Sequence, residues 1–184
     1  MSSRALAWAL VLLLPIQSCD DAARDAVQRL RRPVLEAPMH VLSDDARPGL
    51  IVAAALVLVS GTAGRALLGE TALALVPVNL AVEGLKYLVN RPRPDGERRR
   101  SNAAFPSSHA ANAFAIATVL SRRWRRGAPA FFALAALIGF SRLYLNRHWL
   151  SDVAGGALLG VALALAANAA WRRWRHTRSA TRAA

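Results

Sequence analysis

The chain has 184 residues, 54% of them apolar, and carries 24 Lys+Arg against 11 Asp+Glu for a formal net charge of +13. An apolar share above the roughly 45–50% of a soluble domain excludes a disordered or collagen-like chain, and one cysteine excludes a disulfide scaffold. Such basicity fits a nucleic-acid binder or a membrane protein with arginine-rich loops; here the arginines fall between long apolar runs, which selects the membrane.

Residues 5–16, ALAWALVLLLPI, form the first apolar run. It is short for a membrane span, which needs about 20 residues, and suits the core of a secretory signal. Ile16-Gln17-Ser18-Cys19 resembles a loose lipoprotein cleavage box, in which Cys19 would be lipidated. The other reading of residues 1–18 is an uncleaved signal anchor. Residues 19–47 are polar and mixed in charge. Val27, Leu30 and Val34 stand there at helical spacing, which predicts an amphipathic helix on the outer membrane surface, broken by prolines at 33 and 38.

Apolar segments then follow at 49–64, 66–89, 107–120, 128–145 and 152–171. Glu70, Pro77 and Glu83 interrupt the second, and the third is only modestly apolar. The fifth is uncharged after Asp152 and contains Gly156 and Gly160, a pair of small residues spaced for close helix packing. No stretch alternates as a strand would. The expected fold is all-α, an integral membrane bundle of five to six transmembrane helices with its core in residues 48–171 and a basic cytoplasmic tail at 172–184. Arginine clusters at 122–126 and 172–182 fit the cytoplasmic side. The loops at 90–106 and 146–151 then lie outside.

The outward-facing segment ends hold the unusual polar residues. All but one of the 24 Lys+Arg residues are Arg, and the exception, Lys86, stands at such an end. Lys86, Arg93 and Arg142 supply charge suited to a phosphate dianion, Arg as a planar fork and Lys as a point charge. Ser107 and Ser108 follow Pro106 where a helix starts, and a helix N-terminus favours an anion. His148 and Asp152 are spaced i,i+4, so one helix face can carry both, the carboxylate orienting a nucleophilic imidazole. His109 is a second imidazole, suited to protonating a leaving oxygen. Each residue has an ordinary structural role available: Asp152 as a first-turn acid, Ser107 as an N-cap, Arg142 as an interfacial anchor. Their convergence on one face points instead to phosphoryl chemistry. No cluster has metal-ligand spacing, so no metal and no cofactor are expected.

Lys86-x6-Arg93-Pro94, Pro106-Ser107-Ser108-His109 and Ser141-Arg142-x5-His148-x3-Asp152 together resemble the three-part signature of the type 2 phosphatidic acid phosphatase (PAP2) family. The resemblance implies an all-α core of the kind shared with vanadium haloperoxidases, metal-free hydrolysis and a phosphohistidine intermediate. It makes His148 the nucleophile, oriented by Asp152, and His109 the acid for the leaving group. Lys86, Arg93, Ser107 and Arg142, with the backbone at Ser108, would bind the phosphate. One departure is Ser108, where the family usually has Gly, so a Cβ stands where backbone approaches the oxyanion. The implied substrate is a lipid phosphate or pyrophosphate, of the phosphatidic acid, phosphatidylglycerol phosphate or undecaprenyl pyrophosphate type. The implied surroundings are membrane lipids rather than nucleic acid, in a bacterial inner membrane with the site facing the periplasm or exterior. The competing functions are a vanadium-dependent haloperoxidase-like enzyme and a non-catalytic anion-binding membrane protein.

Overall fold

In the computed structural model, residues 3–43, 62–97 and 102–183 are described, with side chains for 16–43, 66–97 and 102–173. Six α-helices account for most of them: α1 Ser3–Arg29, α2 Pro33–Ser43, α3 Thr62–Val89, α4 Ser108–Arg123, α5 Ala128–Tyr144 and α6 Leu150–Ala183. A 3₁₀ turn, Arg125–Gly127, joins α4 to α5. No strand occurs among the described residues.

The shortest of the core helices sits at the centre. α4 packs against α6, α5 and α3, and the tightest of these contacts is with α6. The buried cluster joins Leu67, Ala74, Val78 and Val82 of α3 to Ala111, Ala115 and Val119 of α4 and Ala164 of α6. Alanine dominates because it lets helix axes approach closely. Gly156 and Gly160 extend that logic: a Cβ on either would collide with the backbone carbonyl oxygen of Ser107 or Ala111. The obstacle is main chain, which cannot swing aside. Gly160→Val should therefore cost about 1–3 kcal/mol by overpacking and displace the start of α4, read as a lowered melting temperature in detergent together with lost activity.

Ala66–Val89, Arg125–Tyr144 and Leu150–Arg173 are long and apolar enough to cross a membrane. Only 22–28% of their apolar windows is buried within the protein, and large side chains such as Val76, Leu80 and Leu158 face outward. In water such a rim would be costly; against acyl chains it is the expected surface. This is a membrane protein of the all-helical class. Against the expected five to six spans, three such helices stand among the described residues. The segment at 49–64 lies largely outside the described residues. The one at 107–120 becomes α4, which at 16 residues and 1.5 Å per residue reaches about 24 Å and lies between its neighbours. Pro77 does not interrupt α3, which runs through it unbroken; a proline removes one backbone hydrogen bond, and membrane helices absorb that loss.

The amphipathic stripe expected from Val27, Leu30 and Val34 does not form. α1 ends at Arg29 and α2 starts at Pro33, so these residues lie on different elements, with Leu30 and Val34 exposed. Polar residues dock α1 instead. Asp20, Arg24 and Gln28, spaced four apart on one face, bond respectively to Ser151, to Asn146, and to the carbonyls of Leu143 and Tyr144. The Tyr144 hydroxyl receives the Arg32 backbone N–H at 2.7 Å, which ties down the α1–α2 break.

Candidate active site

Two helices that deliver cations to the site end the same way. α3 is followed by Asn90 with φ +46°, and α5 by Asn146 with φ +57° shortly after its end. Asparagine tolerates this left-handed conformation at a helix C-terminus and turns the chain back over the helix end. Lys86 and Arg142 each stand four residues before such an Asn. The chain after Asn90 returns toward α4 and the start of α6, where Ala104 N–H donates to the Arg91 carbonyl at 2.9 Å. Ser107 N–H donates to the Asp152 carbonyl at 3.0 Å, which fastens the start of α4 to the first turn of α6. The ends of α3 and α5 and the starts of α4 and α6 thus meet at one end of the bundle, as the motif order implied.

A cavity of about 660 Å³ opens there. Lys86, Arg93, Ser108, His109 and Arg142 line it, and all were named from the sequence. Leu75, Ile116, Leu120, Phe131, Leu134 and Ile138 of α3, α4 and α5 give it a largely apolar wall beyond them, with Asn79 and Asn112 also on the lining. Lys86 is buried, with its ammonium 2.9 Å from Glu83. Arg93 is buried too; its Nε donates to the Asn102 carbonyl at 2.8 Å and its Nη2 to the Asn102 side chain. Arg142 donates from Nη1 to the Ser43 carbonyl at 2.9 Å and to the Ser43 hydroxyl. Each guanidinium is held in a fixed fork by a neighbour, which preorganises it for an oxyanion.

Ser107 and His148 are buried next to these residues rather than on the cavity lining itself. Ser107 is fully buried as the N-cap of α4, its hydroxyl facing the Ala110 N–H at 3.5 Å. Ser107 thus has the N-cap geometry given as its structural alternative. Ser108 is the first helical residue, half-buried in the cavity wall. First-turn N–H groups have no intrahelical acceptor, so this end of α4 suits an anion.

His148 is buried, and its Nδ1 lies 2.7 Å from the Ala104 carbonyl oxygen. A carbonyl only accepts, so Nδ1 carries the proton. In the neutral ring Nε2 is then the basic, nucleophilic nitrogen. The sequence reading assigned the orienting hydrogen bond to Asp152. The structure gives it to Ala104, with Asp152 Oδ2 at 3.8 Å from the same nitrogen, an electrostatic contact rather than a hydrogen bond. The reason is that Asp152 is already engaged. Its Oδ2 accepts the Trp149 N–H at 2.8 Å, and its Oδ1 accepts from Arg91 at 2.7 Å. Burial pushes the imidazole of His148 below its ordinary 6.5; Asp152 opposes this, and the Arg142 and Arg93 guanidiniums add to it. The ring is thereby kept neutral, the form that can attack.

Arg91, Asn102, Ser43 and Asp20 were not named as site residues from the sequence, yet the first three each touch one and Asp20 reaches Asp152 through Arg91. One signal existed, the repeated Arg-Pro of Arg91-Pro92-Arg93-Pro94, which offered two arginines to one site.

The model of the PAP2 superfamily matches residues 67–176, more than half of the chain. The chain belongs to the PAP2 superfamily. Among curated PAP2-type relatives, the phosphatidylglycerophosphatase B of Bacillus subtilis is 26% identical over 80% of this chain and 81% of its own length. A lipid A 1-phosphatase of Porphyromonas gingivalis is 38% identical over 57% of this chain, which spans only 22% of that relative. A putative undecaprenyl-diphosphatase of Escherichia coli is 29% identical over 68% of each. Of solved PAP2-type structures, Aquifex aeolicus LpxE superposes with a TM-score of 0.69 at 25% identity, covering 80% of this chain and 93% of that one. A transmembrane phosphatidylglycerolphosphate phosphatase of Bacillus subtilis gives 0.65 at 27% identity, covering 86% of this chain and 87% of that one.

Proposed function

We propose that this chain hydrolyses lipid phosphate or pyrophosphate monoesters through a phosphohistidine intermediate. The observation that carries the reading is a cavity with Lys86, Arg93 and Arg142 at one end and an apolar wall at the other, beside a buried His148 whose Nε2 is the basic nitrogen. The cations meet the phosphate charge, and the apolar wall suits the substrate's chain. His148 Nε2 attacks phosphorus while the bond to the leaving oxygen breaks, and His109 gives that oxygen its proton. Water then attacks the phosphohistidine, His109 takes a proton from it, and inorganic phosphate leaves with His148 neutral again. The relatives' names span phosphatidylglycerol phosphate, lipid A and undecaprenyl diphosphate, and these are the substrate types we assign to the site.

The same reading sets the chain in a bacterial inner membrane with the site on the periplasmic side. Residues 1–18 act as signal or anchor, 19–47 lie outside, and the arginine tail at 172–184 lies in the cytoplasm. The test is phosphate release from a panel of these lipids by purified protein in detergent. EDTA should leave the rate unchanged, because Lys86, Arg93 and Arg142 supply the charge that a metal would. Vanadate and free phosphate should compete with substrate. A rate lost on chelation and restored by Mg²⁺ would reject the metal-free mechanism; vanadate-dependent bromide oxidation would favour the haloperoxidase alternative.

A further inference from the structure

The N-terminal helix brings a carboxylate to the back of the site. Asp20 is 1% exposed, a costly place for a charge unless it is paired. Its Oδ2 accepts from Arg91 Nη2 at 2.7 Å, and its Oδ1 from the Ser151 N–H at 2.8 Å. The Ser151 hydroxyl donates to Oδ2 at 2.6 Å. The other arm of the same guanidinium, Nη1, donates to Asp152 Oδ1 at 2.7 Å. Arg91 therefore bridges two buried carboxylates with one planar fork, a geometry that lysine cannot reproduce. Its guanidinium also lies over the Trp149 ring, 5.4 Å from the centroid, while the Trp149 indole N–H donates to the Pro92 carbonyl at 3.0 Å.

We propose that Asp20 is a positioning residue of the active site, acting through Arg91 on Asp152 and so on His148. This rests on the phosphohistidine reading above. The physical reason lies in charge as well as geometry. Arg91 alone would neutralise Asp152. With Asp20 the trio carries a net negative charge against the ring that becomes cationic on phosphorylation. The groups acting on His148 are then the Arg142 and Arg93 guanidiniums on one side and Asp152, backed by Arg91 and Asp20, on the other. Simple docking of α1 would not need a buried acid, since Arg24 and Gln28 already fasten the same helix to the loop after α5 and to the last residues of α5. A cut before Cys19 leaves Asp20 in the chain, so this role is compatible with removal of residues 1–18.

The test compares Asp20→Asn, Arg91→Lys, the double variant and Arg24→Ala, each with a melting curve in detergent. Asp20→Asn and Arg91→Lys should each lower kcat about 10–100-fold with KM within about threefold, and the double variant should be no worse than the worse single one. Arg24→Ala removes a comparable anchor of α1 and should keep kcat within about threefold. The acid limb of the pH profile should move down in Asp20→Asn, because less negative charge then remains to stabilise the imidazolium. Equal losses in Asp20→Asn and Arg24→Ala would overturn the proposal and leave Asp20 a docking residue. So would additive losses in the double variant. A readout independent of turnover is the nitrogen-15 titration of His148, one of four histidines, assigned by its absence in His148→Gln. A downward shift in Asp20→Asn supports the proposal and an unmoved titration overturns it. If the wild-type protein releases no phosphate from any lipid, the phosphatase reading fails while this titration still decides the relay.

Discussion

His148→Ala should abolish turnover, by more than about a thousandfold in kcat, because removing a nucleophile removes the whole covalent route rather than one contact. The protein should still insert and melt cooperatively: the ring's one assigned hydrogen bond is to the Ala104 carbonyl, and losing it costs about 1–3 kcal/mol. Acid quench of wild-type protein with labelled substrate should trap phosphate on the chain, and the alanine variant should trap none. Activity within tenfold of wild type would end the phosphohistidine mechanism. The pH profile gives a second check. Rate rises as His148 loses its proton, and burial with Arg142 and Arg93 holds that pKa below 6.5. The acid limb of kcat/KM should therefore be centred below 6.5, the ordinary imidazole value.

The second large effect concerns His109, which faces the cavity from the first turn of α4. His109→Gln should lower kcat on a lipid phosphate about 100–10,000-fold, the usual contribution of a positioned general acid. On an aryl phosphate, whose leaving group needs little protonation, the loss should be far smaller. The alkaline limb of the bell-shaped profile should move or vanish in the same variant. Equal losses on the two substrates would remove His109 from the general-acid role and leave it as a phosphate contact. The comparison isolates proton transfer, because phosphate binding is common to both substrates.

Much of this site was legible because its parts are short-range patterns. His148 and Asp152 are four residues apart, and Ser107 caps a helix that begins at the next residue. Lys86 is conspicuous as the one lysine of the chain, and the cavity wall includes it. Lys86 and Arg142 end their apolar runs and His109 begins one, and successive runs alternate in direction, so their shared face follows from counting segments. Gly156 and Gly160 read as a packing pair, and they press on the first turns of α4.

Other features have no local signature. The repeated Arg-Pro offered two arginines to the site, but nothing in the order of residues marks Arg91 as the one that grips Asp152, or separates Asp20 from its neighbour Asp21. Which acid is buried depends on where α1 docks, and the docking is decided by residues more than a hundred positions away, at Asn146 and Ser151. The stripe of Val27, Leu30 and Val34 was misleading for the same reason, since periodicity registers spacing but not the break at 30–32.

The sequence by itself determined the membrane class, the helical fold and the residue types at the phosphate end, because apolar run length, helical spacing and motif order are local properties of the chain. Only the tertiary structure decided the tautomer of His148, the partner of Asp152, the full burial of Ser107 and the part played by the N-terminal helix. Those depend on which donor reaches an acceptor first once the backbone is folded. The Ala104 carbonyl accepts the hydrogen bond from His148 Nδ1–H while Arg91 and the Trp149 N–H occupy Asp152.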